Sequence, residues 1–369
     1  MDQFVVSARK YRPTAFEAVV GQRHVAETLM HEIESNKLAQ AFLFTGPRGV
    51  GKTTCARILA KVINSREPGV DPNQDFAFNI FELDAASNNS VDDIRHLIEQ
   101  VRIPPQIGKY KVYIIDEVHM LSAAAFNAFL KTLEEPPPYA IFILATTEKH
   151  KILPTILSRC QVFNFSRIEI KDMVAHLKEI AEKENISADE NALHLIARKA
   201  DGGLRDALSI FDQLVSFSGG EVTYQKAIEI LNVLDTETFF RVTAALLDRD
   251  IATCLNTLDD TIRKGFDASG FVGGLAGHFR NLAMCKDART VELLDVAEGF
   301  KQKFAEQAGR ASFAFLLNGL QMLNDCDEKY KASRNPRLLV ELCLMKLANL
   351  DTYLKGLQDL EELKKKFLK

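Results

Sequence analysis

No run of 18 apolar residues occurs anywhere in this 369-residue chain, so no membrane-spanning helix is expected. Low-complexity tracts are also missing. The opening Met1-Asp2-Gln3-Phe4 lacks the basic-then-apolar layout of a secretion signal, and the expected location is the cytoplasm. Six cysteines, Cys55, Cys160, Cys254, Cys285, Cys326 and Cys343, are scattered with no C-x-x-C among them. That spacing argues for a reducing compartment, against a disulfide framework and against a zinc site; most of them read as core fillers. An excess of one charge is missing too. With 46 basic and 50 acidic residues the net charge is −4, so any nucleic-acid binding must come from a local patch. What remains is an ordinary globular composition, 47% apolar and 26% charged, long enough for two or three domains.

Within that composition one stretch stands apart. Gly46-Pro47-Arg48-Gly49-Val50-Gly51-Lys52-Thr53 matches the phosphate-binding pattern G-x-x-x-x-G-K-[ST] in full. Ala41-Phe42-Leu43-Phe44 before it reads as a buried strand. After it, Ile58, Leu59, Val62 and Ile63 fall at helical spacing from Thr54 to Asn64. Glycines at 46, 49 and 51 let successive N–H groups turn inward around phosphate oxygens, and the helix that follows adds the positive end of its dipole. Lys52 is expected to reach the outer phosphates of a nucleotide, and the Thr53 hydroxyl to ligate magnesium.

A second signal closes another apolar run. Lys111-Val112-Tyr113-Ile114-Ile115 ends in Asp116-Glu117. Carboxylates at the C-terminal end of a buried parallel strand collect beside a phosphate loop. Asp116 is expected to hold magnesium, directly or through water, and Glu117 to act as general base on the attacking water. Ala140–Ala145 reads as a further strand tipped by Thr146-Thr147-Glu148, where a hydroxyl could meet the water or the γ-phosphate. Asn79–Asp84 and Gln161–Phe165 complete five strands, alternating with helices near His24–Asn36, Val91–Arg102 and Ala123–Glu135. That alternation predicts an α/β fold with a parallel sheet.

From Glu169 the strand signals stop. Lys171–Glu184, Ala188–Ala200 and Leu204–Phe217 read as three helices of a small all-helical lid, broken at Gly202-Gly203 and Gly219-Gly220. Arg205 falls in the first turn of the third, where the helix dipole disfavours a cation unless an anion meets it. Beyond about Thr236 the chain is helical throughout, with no catalytic constellation, and its expected role is packing between subunits. The closing Leu363–Lys369 reads as a solvated helix end.

These residues, taken in order, resemble the AAA+ ATPases of clamp loaders. The ordered set is the phosphate loop, Asp116-Glu117, Thr146-Thr147, Ser158-Arg159-Cys160 and Gly202-Gly203-Leu204-Arg205-Asp206. Longer phrases are similar to the gamma/tau subunits of bacterial DNA polymerase III: Tyr11-Arg12-Pro13, Glu82–Asn88, Ile115–Leu121, Lys131–Pro137 and Asn335–Leu339. The resemblance runs over essentially the whole chain. It implies an AAA+ P-loop ATPase domain over 1–167, a helical lid over 168–232 and an all-α collar for oligomerisation over 233–369.

The resemblance also implies roles. Arg159 would be an arginine finger reaching the ATP of a neighbouring subunit, and Arg205 a sensor of nucleotide in its own. Thr147 (or Thr146) would be the first sensor, and Arg12 and Pro13 would sit near the adenine. Gly46 through Thr54 would contact the nucleotide, with Lys52, Asp116, Glu117, Thr147, Arg159 and Arg205 serving hydrolysis and Thr53 and Asp116 the metal. Implied partners are the clamp-loader delta and delta-prime subunits, other copies of the chain, the sliding clamp and primed DNA. DNA contacts would come from helix N-termini facing the ring interior, Arg95 among the candidates. Family members usually carry a four-cysteine zinc module before the Glu82-Leu83-Asp84 strand; Ser65–Phe78 has no cysteine and is too short for one, so ATP and Mg2+ are expected and zinc is not. A nucleotide-binding scaffold without turnover is the alternative, against which the joint presence of Lys52, Asp116 and Glu117 weighs. A small-molecule P-loop kinase would leave the helical C-terminal third, Arg159 and Arg205 without a use.

Overall fold

A computed structural model describes residues 5–66, 76, 78–291, 294 and 296–350. The chain divides into two compact units, Met1–Val222 and Thr223–Lys369.

The first unit is built on five parallel strands, β1 (Ala41–Thr45), β2 (Ile80–Asp84), β3 (Lys111–Asp116), β4 (Ala140–Thr146) and β5 (Gln161–Asn164), in the order β2-β3-β4-β1-β5. The three inner strands are apolar on both faces because helices cover both. Alternation at period two divides their side chains between two cores. Phe42, Phe44, Ile114 and Ile143 face the Arg23–Glu34 and Lys52–Ser65 helices. Leu43, Tyr113, Phe142 and Leu144 face the Val91–Val101 and Ala123–Glu134 helices. Phe142 stacks on Tyr113 and meets Phe129 edge-on, which fixes the second layer against the sheet.

Local chemistry sets the helix starts. Ser90 and Asp93 form a reciprocal capping box, and the Ser122 hydroxyl accepts a 3.2 Å bond from the Ala125 N–H. Pro136, Pro137 and Pro138 follow Glu135, the residue that caps the end of the Ala123–Glu134 helix. Most of the loop expected over Ser65–Phe78 lies outside the described residues.

The lid holds the three expected helices, Ile170–Lys183, Glu190–Lys199 and Leu204–Ser218. It also holds a feature absent from the sequence reading, a parallel pair of two-residue strands, Ser187–Ala188 against Glu221–Val222. Two residues are too short to show any periodicity, so strand signal does not in fact end at Glu169. At the N-terminus an arm preceding the sheet carries a short helix, Ser7–Lys10. Ser7 donates from its backbone N–H to Asp212 at 2.7 Å, and Lys10 and Tyr11 both donate to Glu184. Partners 173 to 205 residues away explain why local sequence did not reveal it.

The second unit is helical throughout its described residues: Tyr224–Leu231, Thr236–Leu247, Ile251–Arg263, Ala268–Met284, Ala288–Val291, Glu298–Arg310, Phe313–Tyr330 and Pro336–Ala348. Its core is rich in phenylalanine, with Phe239, Phe271, Phe279, Phe304 and Phe315 buried. Gly319 lets two helices close: a Cβ there would stand 2.5 Å from the Phe279 ring. Asn335-Pro336 starts the last helix, the Asn335 side chain accepting from the Leu338 N–H at 3.2 Å with proline in the first turn. Leu363–Lys369 falls outside the described residues.

Candidate active site

Strand order brings the C-terminal ends of β3, β4 and β1 side by side, and the chemistry gathers there. Thr45 pairs with Thr146, and the Gly46 N–H donates to the Thr146 carbonyl at 3.2 Å, so the phosphate loop begins anchored to the tip of β4. Gly46, Gly49 and Gly51 have φ of +148°, +73° and +105°, the conformations for which glycine is needed. A Cβ on Gly46 would stand 2.3 Å from the Phe165 carbonyl oxygen. Val50 is buried and ties the loop to the core, Arg48 is exposed, and Thr54 lies half-buried in the helix's first turn.

Lys52 is 6% exposed, and its ammonium donates to the carbonyls of Gly46 (2.8 Å) and Pro47 (2.7 Å). Burial pushes its pKa down, against the pull of Glu117 and Asp116. No carboxylate bonds to it directly, so the charge stays available to an anion in the loop. The Thr53 hydroxyl donates to Asp116 Oδ2 at 2.7 Å, while Asp116 Oδ1 accepts the Glu117 N–H at 2.9 Å. Two hard oxygen donors stand together beside the loop, a set that suits magnesium.

Glu117 adopts φ +46°, an uncommon value for a residue with a side chain. Its Oε2 accepts the N–H (3.2 Å) and hydroxyl (3.0 Å) of Thr147. Thr146 is fully buried; its Oγ1 accepts the Glu148 N–H at 3.0 Å and lies 3.0 Å from His119 Nδ1. The two threonines are thus distinct, Thr147 facing Glu117 and Thr146 turned inward. His119 and Glu148 were not among the residues expected at the site. The signal was present as a histidine three positions after Asp116, but only the turn Val118–Met120 carries its ring back to β4.

Arg205 joins the site from the lid. Its N–H donates to the Gly49 carbonyl at 3.4 Å, and a Cβ on Gly49 would lie 3.3 Å from Arg205 Cβ. Arg12 is exposed and Pro13 half-buried on the arm held by the lid, and Val19, farther along the same arm, approaches Gly51. Arg95 lies exposed, 3.1 Å from Asp92.

Arg159 stands elsewhere. It lies two residues before the start of β5, whereas the phosphate loop, Asp116 and Thr147 lie at C-terminal strand ends. In a parallel sheet those are opposite edges, separated here by a four-residue strand of about 13 Å. Its guanidinium is exposed, bonded to Glu134 and to the Thr155 carbonyl at 2.6 Å.

Three family profiles match in succession: "DNA polymerase III, delta subunit" over 21–169, "DNA polymerase III clamp loader subunit, ATPase lid domain" over 172–220, and "DNA polymerase III subunits gamma and tau domain III" over 222–363. The tau subunit of DNA polymerase III from Bacillus subtilis is 38% identical across 96% of this chain and 67% of its own length. The chain belongs to the gamma/tau family of DNA polymerase III subunits. Gamma/tau from Mycobacterium tuberculosis H37Rv is 36% identical over 92% of this chain, and tau from Escherichia coli K12 is 38% identical over 76%. The chain spans 62% and 45% of those two relatives' lengths. Family membership accords with the expected AAA+ architecture of parallel sheet, lid and helical C-terminal domain. Among the described residues, no helix is long and apolar enough to cross a membrane.

Proposed function

We propose that the chain is an ATP-hydrolysing motor subunit of a bacterial clamp loader, acting in the cytoplasm. Its partners would be the delta and delta-prime subunits and further copies of itself, and its work the opening of a sliding clamp and its loading onto primed DNA. The observation that carries the reading is the chain of contacts Thr53–Asp116–Glu117–Thr147 beside Lys52, with Arg159 on the opposite sheet edge.

The loop N–H groups and Lys52 bind the triphosphate, Lys52 exchanging its carbonyl partners for phosphate oxygens. Thr53 and Asp116 would hold magnesium, whose charge would offset that of the phosphates. Glu117 takes a proton from the attacking water, and Thr147 orients that carboxylate. Arg205 reports the nucleotide to the lid. Arg159 cannot bend around a strand to its own loop, so it serves the site of an adjoining protomer. An arginine supplied in trans changes turnover by roughly 10³–10⁵-fold, which makes hydrolysis depend on assembly. ATP binding would draw subunits into a partial ring, and hydrolysis would release it. Zinc has no assigned role, since Ser65–Phe78 offers no cysteine.

Steady-state ATPase assays with and without partner subunits and primed DNA test the reading. Turnover stimulated by both is expected. Tight ATP binding with no turnover in the complete assembly would replace the motor with a nucleotide-binding scaffold.

A further inference from the structure

His119 has no role in the proposal above, yet its ring lies between two acids of the site. The side chain is 6% exposed. Nδ1 lies 3.0 Å from Thr146 Oγ1 and 3.4 Å from Glu117 Oε2, the oxygen that also accepts from Thr147. Nε2 lies 3.2 Å from Glu148 Oε1. Lys151 Nζ lies 2.9 Å from both oxygens of Glu148, so that carboxylate is tethered in its turn. This ring reaches the Thr146 hydroxyl through Nδ1 and has a carboxylate on either side, Glu148 at Nε2 and Glu117 3.4 Å from Nδ1.

The backbone is bent to make the arrangement. Glu117 at φ +46° starts the turn Val118–Met120, which folds His119 back behind the carboxylate two positions before it. A left-handed residue with a side chain is strained and persists where surrounding contacts hold it.

We propose that His119 is a positioning residue for Glu117, holding the carboxylate in register at the β4 tip through Nδ1 and itself held through Nε2 by Glu148. The inference rests on Glu117 acting as the base in ATP hydrolysis. Glu148 begins the turn Lys149–Lys151 that leads to the Arg159 segment, so the seating of the base depends on the segment that serves the neighbouring site.

The test uses the complete clamp-loader assembly with primed DNA, measuring kcat and KM for ATP. His119→Ala should lower kcat by about 10- to 100-fold, the effect of a misplaced reacting group, with KM changed less than about twofold. Asn, whose amide falls near the Nδ1 position, should restore more of kcat than Gln, which reaches only the Nε2 position. Glu148→Ala should lower kcat in the parent and have little further effect beside His119→Ala, because both act through one contact. Thermal unfolding of each variant separates loss of fold from loss of positioning, and the Asn variant carries the test if the Ala variant does not fold. Full kcat in a folded Ala or Asn variant together with Gln, or additive losses at 119 and 148, would overturn the inference. An assembly of the parent chain that turns over no ATP would instead overturn the motor reading beneath it.

Discussion

The Thr53 hydroxyl and Asp116 carboxylate are joined by a 2.7 Å hydrogen bond across 63 residues of sequence. One comes from the first turn after the phosphate loop, the other from the end of β3. Their pairing sets side by side the two oxygen donors that the proposed function gives to magnesium.

Lys52→Ala should weaken ATP binding by about two orders of magnitude, the scale of losing charge-assisted bonds to phosphate. A fluorescent ATP analogue titrated against the variant measures it. Unchanged affinity would remove the loop from the nucleotide site.

Arg159→Ala should leave nucleotide affinity within about twofold and lower turnover of the assembled complex by about 10³-fold or more. A mixing experiment isolates the trans element. Assemblies containing both the Lys52→Ala and Arg159→Ala chains should recover turnover, because some interfaces join an intact loop to an intact arginine. If Arg159 acted on its own subunit, the mixture would stay as inactive as either variant alone.

Gly46→Ala should destabilise the first unit by about 1–3 kcal/mol, since its methyl would meet the Phe165 carbonyl at 2.3 Å. Denaturant unfolding measures the loss. A parent-like midpoint would mean the loop adopts another path.

His278 should make the second unit sensitive to acid. The ring is 3% exposed, packed among Phe239, Phe240 and Phe304, with Nε2 2.7 Å from Gln307 Oε1. Gln307 directs its own amide N–H to the Phe240 carbonyl at 2.8 Å, so Nε2 carries the proton and the neutral ring is the fitted form. Burial pushes its pKa down to about 4, the Gln307 contact offsetting a little. The folded value lies below the unfolded value, about 6.5. The contribution is therefore complete above pH 6.5 and is lost as pH falls toward 4, by about 3 kcal/mol at the limit. Unfolding free energies at pH 7, 6 and 5 should fall along that window, and His278→Gln should flatten the slope while lowering stability at pH 7. An unchanged slope in that variant would assign the acid sensitivity to other groups.

The site was legible where residues act as neighbours in sequence. A phosphate loop is six consecutive backbone units and a lysine, and a strand ending in Asp-Glu carries its carboxylates with it. Sequence spacing therefore placed Lys52, Thr53, Asp116 and Glu117 on elements that the fold brings together. Thr146 and Thr147 were not separable, because sequence alone does not say that the strand ends between them, with Thr146 its last, inward-turned residue and Thr147 in the bend that follows. His119 and Glu148 were invisible for a different reason. Each is an ordinary polar residue locally, and only the turn after Glu117 and the pairing of β3 with β4 makes them partners.

Periodicity and turn chemistry alone determined the α/β unit, its phosphate loop, the helical lid and the helical character of the second unit's described residues, because burial on one or both faces writes itself into residue spacing. Strand order was decided only in three dimensions, since long-range pairing leaves no local trace. That order sets Asp116 and Thr147 beside the loop and leaves Arg159 at the far edge of the sheet.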